Sequence, residues 1–150
     1  ERMQMAMHSE NQGNIRKIMI SVNRIDGIYY RLAKRIGIKE NTLSLFYALS
    51  DGQPHSQKEI CDEWLVPRST INTIVRECVE KGYVRFQRSA HSKMKMLLLT
   101  ESGKEYADEL MNELLSVEQA AFLETLKRYD GGFVNAMSFF ADELARQTLH

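Results

Sequence analysis

Short polar and basic side chains are concentrated on one side of a predicted helix near the middle of the 150-residue chain. These side chains are Arg68, Ser69, Thr70, Asn72, Thr73 and Arg76. Asparagine can pair bidentately with adenine and arginine with guanine, while serine and threonine suit phosphates or the thymine methyl group. The first turn of the helix adds backbone N–H groups for a phosphate. This set predicts contact with the major groove of duplex DNA; an ordinary surface helix with a polar outer side is the alternative.

A second group of basic and titratable side chains lies in and beside a short polar turn further along the chain. Its members are Arg88, His91, Lys93 and Lys95. Although the whole chain has zero net charge, residues 66–95 carry seven Lys and Arg against two Glu, a local charge of +5. Such a concentration of charge attracts phosphates. We expect these side chains to contact the DNA backbone or the minor groove, the alternative being charges that only keep a hairpin soluble.

The elements that must position both groups follow from hydrophobic periodicity and from turn signals. A long helix over residues 14–36 ends at Gly37, and Asn41 caps a second helix. The segment Ser56-Gln57-Lys58-Glu59 is a capping box that opens a short helix. The remaining predicted elements are a helix from Pro67 to Gly82, two strands over Tyr83–Arg88 and Lys93–Leu99, a long helix capped by Thr100, and a last helix after the break at Asp130-Gly131-Gly132.

This order predicts a mainly α fold with a small β-hairpin, namely a winged helix-turn-helix. Residues 37–100 form the predicted lobe, and residues 1–13, which lack an apolar period, form a flexible arm. The helices in 14–36 and 101–150 carry apolar stripes too wide for one small lobe, so they are predicted to be dimerisation helices.

Enzyme chemistry finds little support in the sequence. There is no nucleophile elbow, phosphate loop, paired-carboxylate constellation or metal-ligand spacing, so we predict no enzyme, metal or cofactor. Cys61 and Cys78 are better explained as small buried hydrophobes than as a redox switch. Without an apolar run long enough to span a bilayer, the chain is expected to be a soluble cytoplasmic protein that does not bind membranes.

Candidates for a small-molecule pocket at the junction of the long helix and the lobe are Tyr29, Tyr30, Arg31 and His55. Packing or surface roles for the three helical residues and a loop role for His55 are the alternatives. Trp64 is predicted to fill the core.

Four segments, in this order, resemble the MarR family. They are Ser56-Gln57-Lys58-Glu59-Ile60, Val66-Pro67-Arg68-Ser69-Thr70-Ile71, Glu80-Lys81-Gly82-Tyr83-Val84 and Leu99-Thr100-Glu101-Ser102-Gly103. The resemblance implies an intertwined dimer held by the terminal helices, with one helix of each subunit in the major groove. It also implies that a small ligand binds between the dimer helices and the lobe.

The sequence departs from the family pattern at two places. The wing lacks the usual Asp-x-Arg pair, which implies that Lys93 or Arg88 contacts phosphates only. Leu65 replaces a glycine that is common before the recognition helix, so the turn there is expected to be reshaped.

The resulting hypothesis is a sequence-specific transcription regulator. It would be a homodimeric repressor of a pseudo-palindromic operator in double-stranded DNA, relieved by a small-molecule effector. The alternative is a winged-helix module that binds protein and does not bind DNA specifically.

Overall fold

The computed structural model of the protein describes residues 1–149, and His150, which the sequence placed in the last dimerisation segment, lies outside the described residues. Its elements are α1 (Arg2–Ile36), α2 (Glu40–Leu49), β1 (His55–Ser56), α3 (Gln57–Trp64), α4 (Arg68–Glu80), β2 (Val84–Arg88), β3 (Lys95–Leu99), α5 (Glu101–Leu126) and α6 (Gly132–Thr148). The described chain is thus mostly helical with one small antiparallel sheet, and the predicted fold class is confirmed.

The chain forms two compact units, Glu1–Leu110 and a second one from Met111 onward, with the boundary inside α5. In the first unit α2, α3 and α4 surround a core that also includes one face of the sheet. Leu45, Phe46, Ile60, Ile71 and Leu97 are almost completely buried there. Burial of such side chains contributes roughly 1.5–3 kcal/mol each, which holds the three short helices together.

An aromatic cluster joins the start of β2 to the helices on either side of it. The rings of Tyr83 and Tyr106 are stacked, with centroids 4.3 Å apart, and both lie against Phe46 at 6.2 and 5.4 Å. Offset aromatic pairs contribute beyond the area that they bury. The cluster therefore fixes where the hairpin leaves the body of the first unit.

Helix α1 begins earlier than the sequence predicted. The expected start was near Asn14, after a flexible arm of residues 1–13, whereas the helix in the structure runs from Arg2 and is continuous to the predicted stop. At that stop Gly37 has φ 84° and its N–H donates to the carbonyl of Ala33. Residues 2–13 are all exposed, and most are good helix formers, so they are helical without an apolar period. The prediction of an arm outside the helix was wrong for this reason.

The N-terminal residue of α2 also differs from the prediction. Lys39, in an extended conformation, precedes the first helical residue Glu40, and its side chain makes no capping hydrogen bond. The predicted cap Asn41 lies inside the helix. The carboxylate of Glu40 occupies the first turn, where it complements the helix dipole.

The sheet has a third strand that the sequence did not indicate. β1 pairs antiparallel with β3, His55 opposite Leu97 and Ser56 opposite Met96, on the side of β3 away from β2. Ser56 is buried and its Oγ accepts from the backbone N–H of Glu59, so the predicted serine cap of α3 is present. A two-residue strand contains no alternation by which a sequence could reveal it.

The second strand of the hairpin starts at Lys95, two residues later than predicted. The N–H of Ser89 donates to the carbonyl of Met94 at 3.1 Å, and the N–H of Met94 donates to Ser92 Oγ at 3.2 Å. Lys93 therefore lies in the turn. Its alternation with the following residues looked like strand, but the serine hydroxyls favour a turn by binding nearby backbone.

The second unit consists of the last part of α5 and α6. Phe122 and Phe133 lie with ring centroids 5.9 Å apart, and the N–H of Gly132 donates to Asp130 Oδ1 at 2.7 Å where the chain turns. Most of its apolar side chains are exposed in the isolated chain.

Candidate nucleic-acid interface

Helix α4 separates its apolar and polar side chains cleanly. Ile71, Ile74, Val75 and Cys78 are buried in the first unit. On the opposite side Arg68, Ser69, Asn72, Thr73 and Arg76 are exposed and Thr70 is half-buried. The structure thus brings all six predicted residues onto one accessible helix, which we call the polar face of α4.

The turn that directs α4 outward contains the only non-glycine residue with positive φ in the described part of the chain. Leu65 has φ 47° and ψ 41°, the left-handed conformation that glycine adopts without cost. The expectation of a reshaped turn was wrong, because Leu65 itself adopts the left-handed conformation that a glycine would have at this position. Its side chain is 85% exposed, so no burial offsets the roughly 1–2 kcal/mol of strain.

Two hydrogen bonds order side chains on the polar face of α4. Gln57 Nε2 donates to Asn72 Oδ1 at 2.5 Å, and Thr73 Oγ1 donates to the carbonyl of Ser69 at 3.2 Å. Gln57 is the first residue of α3 and was not predicted to belong to the site. It orients the amide of Asn72, whose nitrogen can donate outward while Oδ1 can accept a second bond.

The predicted wing residues Arg88, His91, Lys93 and Lys95 are all exposed. Arg88 lies directly opposite Lys95 in the register of β2 and β3, and Lys95 Nζ is 5.5 Å from the centre of the Phe86 ring. Like charges directly opposite one another are destabilising unless an anion compensates them. The end of the hairpin is therefore suited to a phosphate.

The base of the wing is tied to α5 by the segment that carried part of the family resemblance. Thr100 Oγ1 donates to the carbonyl of Gly82 at 2.5 Å and accepts from the N–H of Gly103 at 2.9 Å, which confirms Thr100 as a cap. The Thr100 N–H donates to the carbonyl of Tyr83 at 3.0 Å. A Cβ at position 103 would lie 1.9 Å from that carbonyl oxygen, so only glycine allows this close approach.

The four predicted pocket residues are not brought together. Tyr29 lines a cavity of about 500 Å³ formed by α1, α2 and α3, whereas Tyr30, Arg31 and His55 are outside its lining. Tyr30 is exposed with Lys34 Nζ 5.5 Å from its ring centre, and Arg31 is exposed.

His55 has a local structural role beside α3. Its Nε2 lies 2.7 Å from Asp51 Oδ2, and its Nδ1 lies 3.4 Å from Glu59 Oε2. The pKa of Asp51 is lowered, first by the hydrogen bond from the Gln53 N–H and then by the hydrogen bond from His55. These contacts stabilise the loop that precedes α3.

Trp64 is not the core residue that the sequence predicted. It is 37% exposed at the end of α3, and its ring lies 5.2 Å from that of Tyr47 on the wall of the same cavity.

Within residues 1–149 the structure contains no group of three or more His, Cys, Asp or Glu that could hold a metal ion. Burial raises the pKa of the Cys78 thiol, which keeps it protonated and unreactive at neutral pH. No helix of the described chain is long and apolar enough to cross a membrane.

The order of α2, α3 and α4, followed by the hairpin of β2 and β3, defines a winged helix-turn-helix fold in which the polar face of α4 is accessible. Residues 36–93 match the model of the MarR family. Through this segment the chain is similar to the MarR family. The resemblance predicted from the sequence is therefore confirmed.

Solved structures agree with this assignment at the level of the fold. A MarR family regulator from Neisseria meningitidis superposes with a TM-score of 0.75 and 18% identity, covering 90% of this chain and 96% of that one. A MarR family transcriptional regulator from Silicibacter pomeroyi gives 0.67 and 15%, covering 85% and 91%. MarR from Staphylococcus aureus, in complex with salicylate and kanamycin, gives 0.61 and 14%, covering 93% and 92%. A sequence search of curated proteins gives no significant match.

Proposed function

We propose that this protein is a sequence-specific, homodimeric repressor that binds a pseudo-palindromic operator and is released by a small-molecule effector. The observation that carries the proposal is the polar face of α4. Its outer side chains are of the types that contact base edges and phosphates, and its inner side chains fix the helix in the lobe. In a bacterial cell such a regulator acts in the cytoplasm.

Dimerisation is supported by apolar side chains that the single chain leaves exposed. On α1 these are Ile15, Met19, Ile20, Ile25 and Ile28. In the second unit they include Leu115, Phe122, Leu123, Val134, Met137 and Phe139. Monomeric proteins rarely expose large apolar patches, and a second copy of the chain would cover both sets. Light scattering at micromolar concentration should therefore give twice the mass of one chain, and a monomer would contradict the proposal.

Regulation by a small molecule is supported by two observations. The Staphylococcus aureus protein of the same fold was solved with two small molecules bound. In this chain the cavity between α1, α2 and α3 is within the size range of small-molecule sites.

Selection from random duplex DNA tests the central claim. We expect enrichment of inverted half-sites whose centres are separated by about one helical turn or a multiple of it. Binding to the selected operator should weaken steeply with salt, because basic side chains release counterions from the phosphates. Selection that enriches no palindromic sequence would favour the alternative of a protein-binding module.

Single substitutions then locate the contacts. Arg68→Ala and Arg76→Ala should each weaken specific binding by about 1–3 kcal/mol if the side chain contacts a base. Arg128→Ala, which removes an exposed arginine between α5 and α6, is the matched control and should leave binding unchanged. Unchanged mobility shifts for both α4 variants would refute the assignment of these residues.

A further inference from the structure

The cavity between α1, α2 and α3 has aromatic and aliphatic walls. Tyr29, Tyr47 and Trp64 supply three aromatic rings, and Ile25 and Leu43 supply aliphatic side chains. The rings of Tyr47 and Trp64 pack against each other, with their centroids 5.2 Å apart. With a volume of about 500 Å³, the cavity accommodates a small organic molecule with a ring or a short branched body.

The charged side chains of the cavity are of one sign. Asp26 of α1 and Glu40 of α2 both line it. No Lys, Arg or His is among the described residues that line this cavity. Partial burial of Glu40, followed by the adjacent charge and hydrogen bond of Asp26, raises the Glu40 pKa. Among the described residues of the cavity wall, these two acids beside aromatic rings therefore have no basic side chain that would stabilise them both in the ionised form.

We propose that this cavity binds a small organic cation with an aromatic or branched apolar body, such as a protonated amine or a quaternary ammonium compound, and that this cation is the effector. The assignment of an effector role rests on the proposed function as a DNA-binding regulator. The cation would face the carboxyl groups of Asp26 and Glu40, and its positive charge would also be attracted to the faces of the surrounding rings. An anionic aromatic acid of the same size would meet repulsion from the same two carboxyl groups.

The start of α2 connects this cavity with the polar face of α4. Glu40 and Asn41, which line the cavity, also line an open groove of about 410 Å³ together with Ser69 and Thr73 of α4. A cation that attracts the carboxylate of Glu40 therefore acts on a residue that lines both the cavity and the groove beside α4. It lowers DNA affinity to the extent that it binds the DNA-free form more tightly than the DNA-bound form.

Binding is measurable without DNA, because Trp64 is the only tryptophan of the chain and lies in the cavity wall. The full-length protein is titrated with benzyltrimethylammonium, followed by Trp64 fluorescence and by calorimetry, and salicylate serves as the anionic probe. We expect saturable binding of the cation and at least tenfold weaker binding of salicylate.

Charge-removing variants test the acids. Asp26→Asn and Glu40→Gln should each raise the Kd of the cation roughly tenfold, a loss of about 1.4 kcal/mol. The matched control is Glu10→Gln, which neutralises an exposed acid of α1 outside the cavity and should leave the Kd unchanged. Circular dichroism confirms that each variant is folded.

The proposal is overturned if salicylate binds as tightly as the cation, if the cation fails to bind, or if both cavity variants bind it like the wild type. A mobility-shift assay with the selected operator separates this outcome from the proposed function. If the protein binds the operator but not the cation, only the effector assignment is refuted. If it binds the cation but no operator, the proposed function as a DNA-binding regulator is refuted.

Discussion

A methyl group added at position 103 tests how the wing is joined to the body of the first unit. Gly103 is buried in the first turn of α5, beside the carbonyl of Tyr83. In Gly103→Ala the new Cβ would lie 1.9 Å from that oxygen, which is backbone and already accepts from the Thr100 N–H. To reach the shortest separation that real Cβ atoms show, 3.0 Å, the two segments must move apart by about 1.1 Å.

The cost of that movement is set by what is attached to each segment. The displacement would stretch the capping bonds of Thr100 and disturb the stacked rings of Tyr83 and Tyr106. Overpacking of this kind costs typically 1–3 kcal/mol, and we expect about 3 because rigid backbone is involved. For a chain of this size, that lowers the Tm by about 6–12 °C.

Thermal unfolding monitored by circular dichroism measures the effect, with Gly13→Ala as the matched control. Gly13 also lies in a helix, but a Cβ there meets nothing within 4 Å. The control should be neutral or stabilising by up to about 1 kcal/mol, because alanine favours the helix. Equal Tm values for Gly103→Ala and the wild type would show that the close approach does not constrain the joint.

Three other changes follow from local geometry. Leu65→Gly should raise the free energy of unfolding, measured in urea, by about 0.5–1 kcal/mol, because the relief of left-handed strain exceeds the effect of the added entropy of the unfolded chain. A lower free energy of unfolding would contradict the inference that Leu65 is strained. Thr100→Ala should cost about 1 kcal/mol through loss of the cap, and Thr100→Ser should restore most of it, which chemical denaturation of the two variants checks. The folded-state pKa of Glu40 is raised above its ordinary value of 4.5, with Asp26 facing it from α1 and Lys39 beside it in the chain. The stability that its protonated form contributes is therefore complete below pH 4.5 and is lost as pH rises through the raised pKa. The difference in unfolding free energy between the wild type and Glu40→Gln should therefore fall as pH rises from 4.5 through the raised pKa. A difference that does not change with pH would refute the link between the Glu40 pKa and stability.

The parts of the fold that could be predicted are those in which one element carries its own signal. The apolar period of α4 fixed its buried side, and therefore also its polar face. Ser56 and Thr100 marked helix starts through hydroxyl caps that are present in the structure. Each of these signals is local, because the residues that make the interaction are within a few positions of one another.

The parts that were missed depend on a different kind of information. Residues 2–13 are helical without packing, and β1 is too short to alternate. Leu65 was judged by the family pattern, but a residue with a β-carbon can occupy the left-handed region at a modest cost. In each case the missing information was the balance of small energies that periodicity does not measure.

The cavity shows the same limit at the level of function. In the sequence, Glu40 is an ordinary acid in the first turn of a helix, where it complements the dipole, and Asp26 is one polar residue of a long helix. Neither is informative until α1 and α2 pack and place both side chains in the wall of one cavity with Tyr47 and Trp64. The sequence offered one weak signal for this cavity, because Tyr47 and Trp64 are aromatic residues on two short helices of the lobe, α2 and α3. Charge that is unremarkable along the chain thus becomes selective once tertiary packing places two acids beside aromatic rings, with no basic side chain among the described residues of the cavity wall.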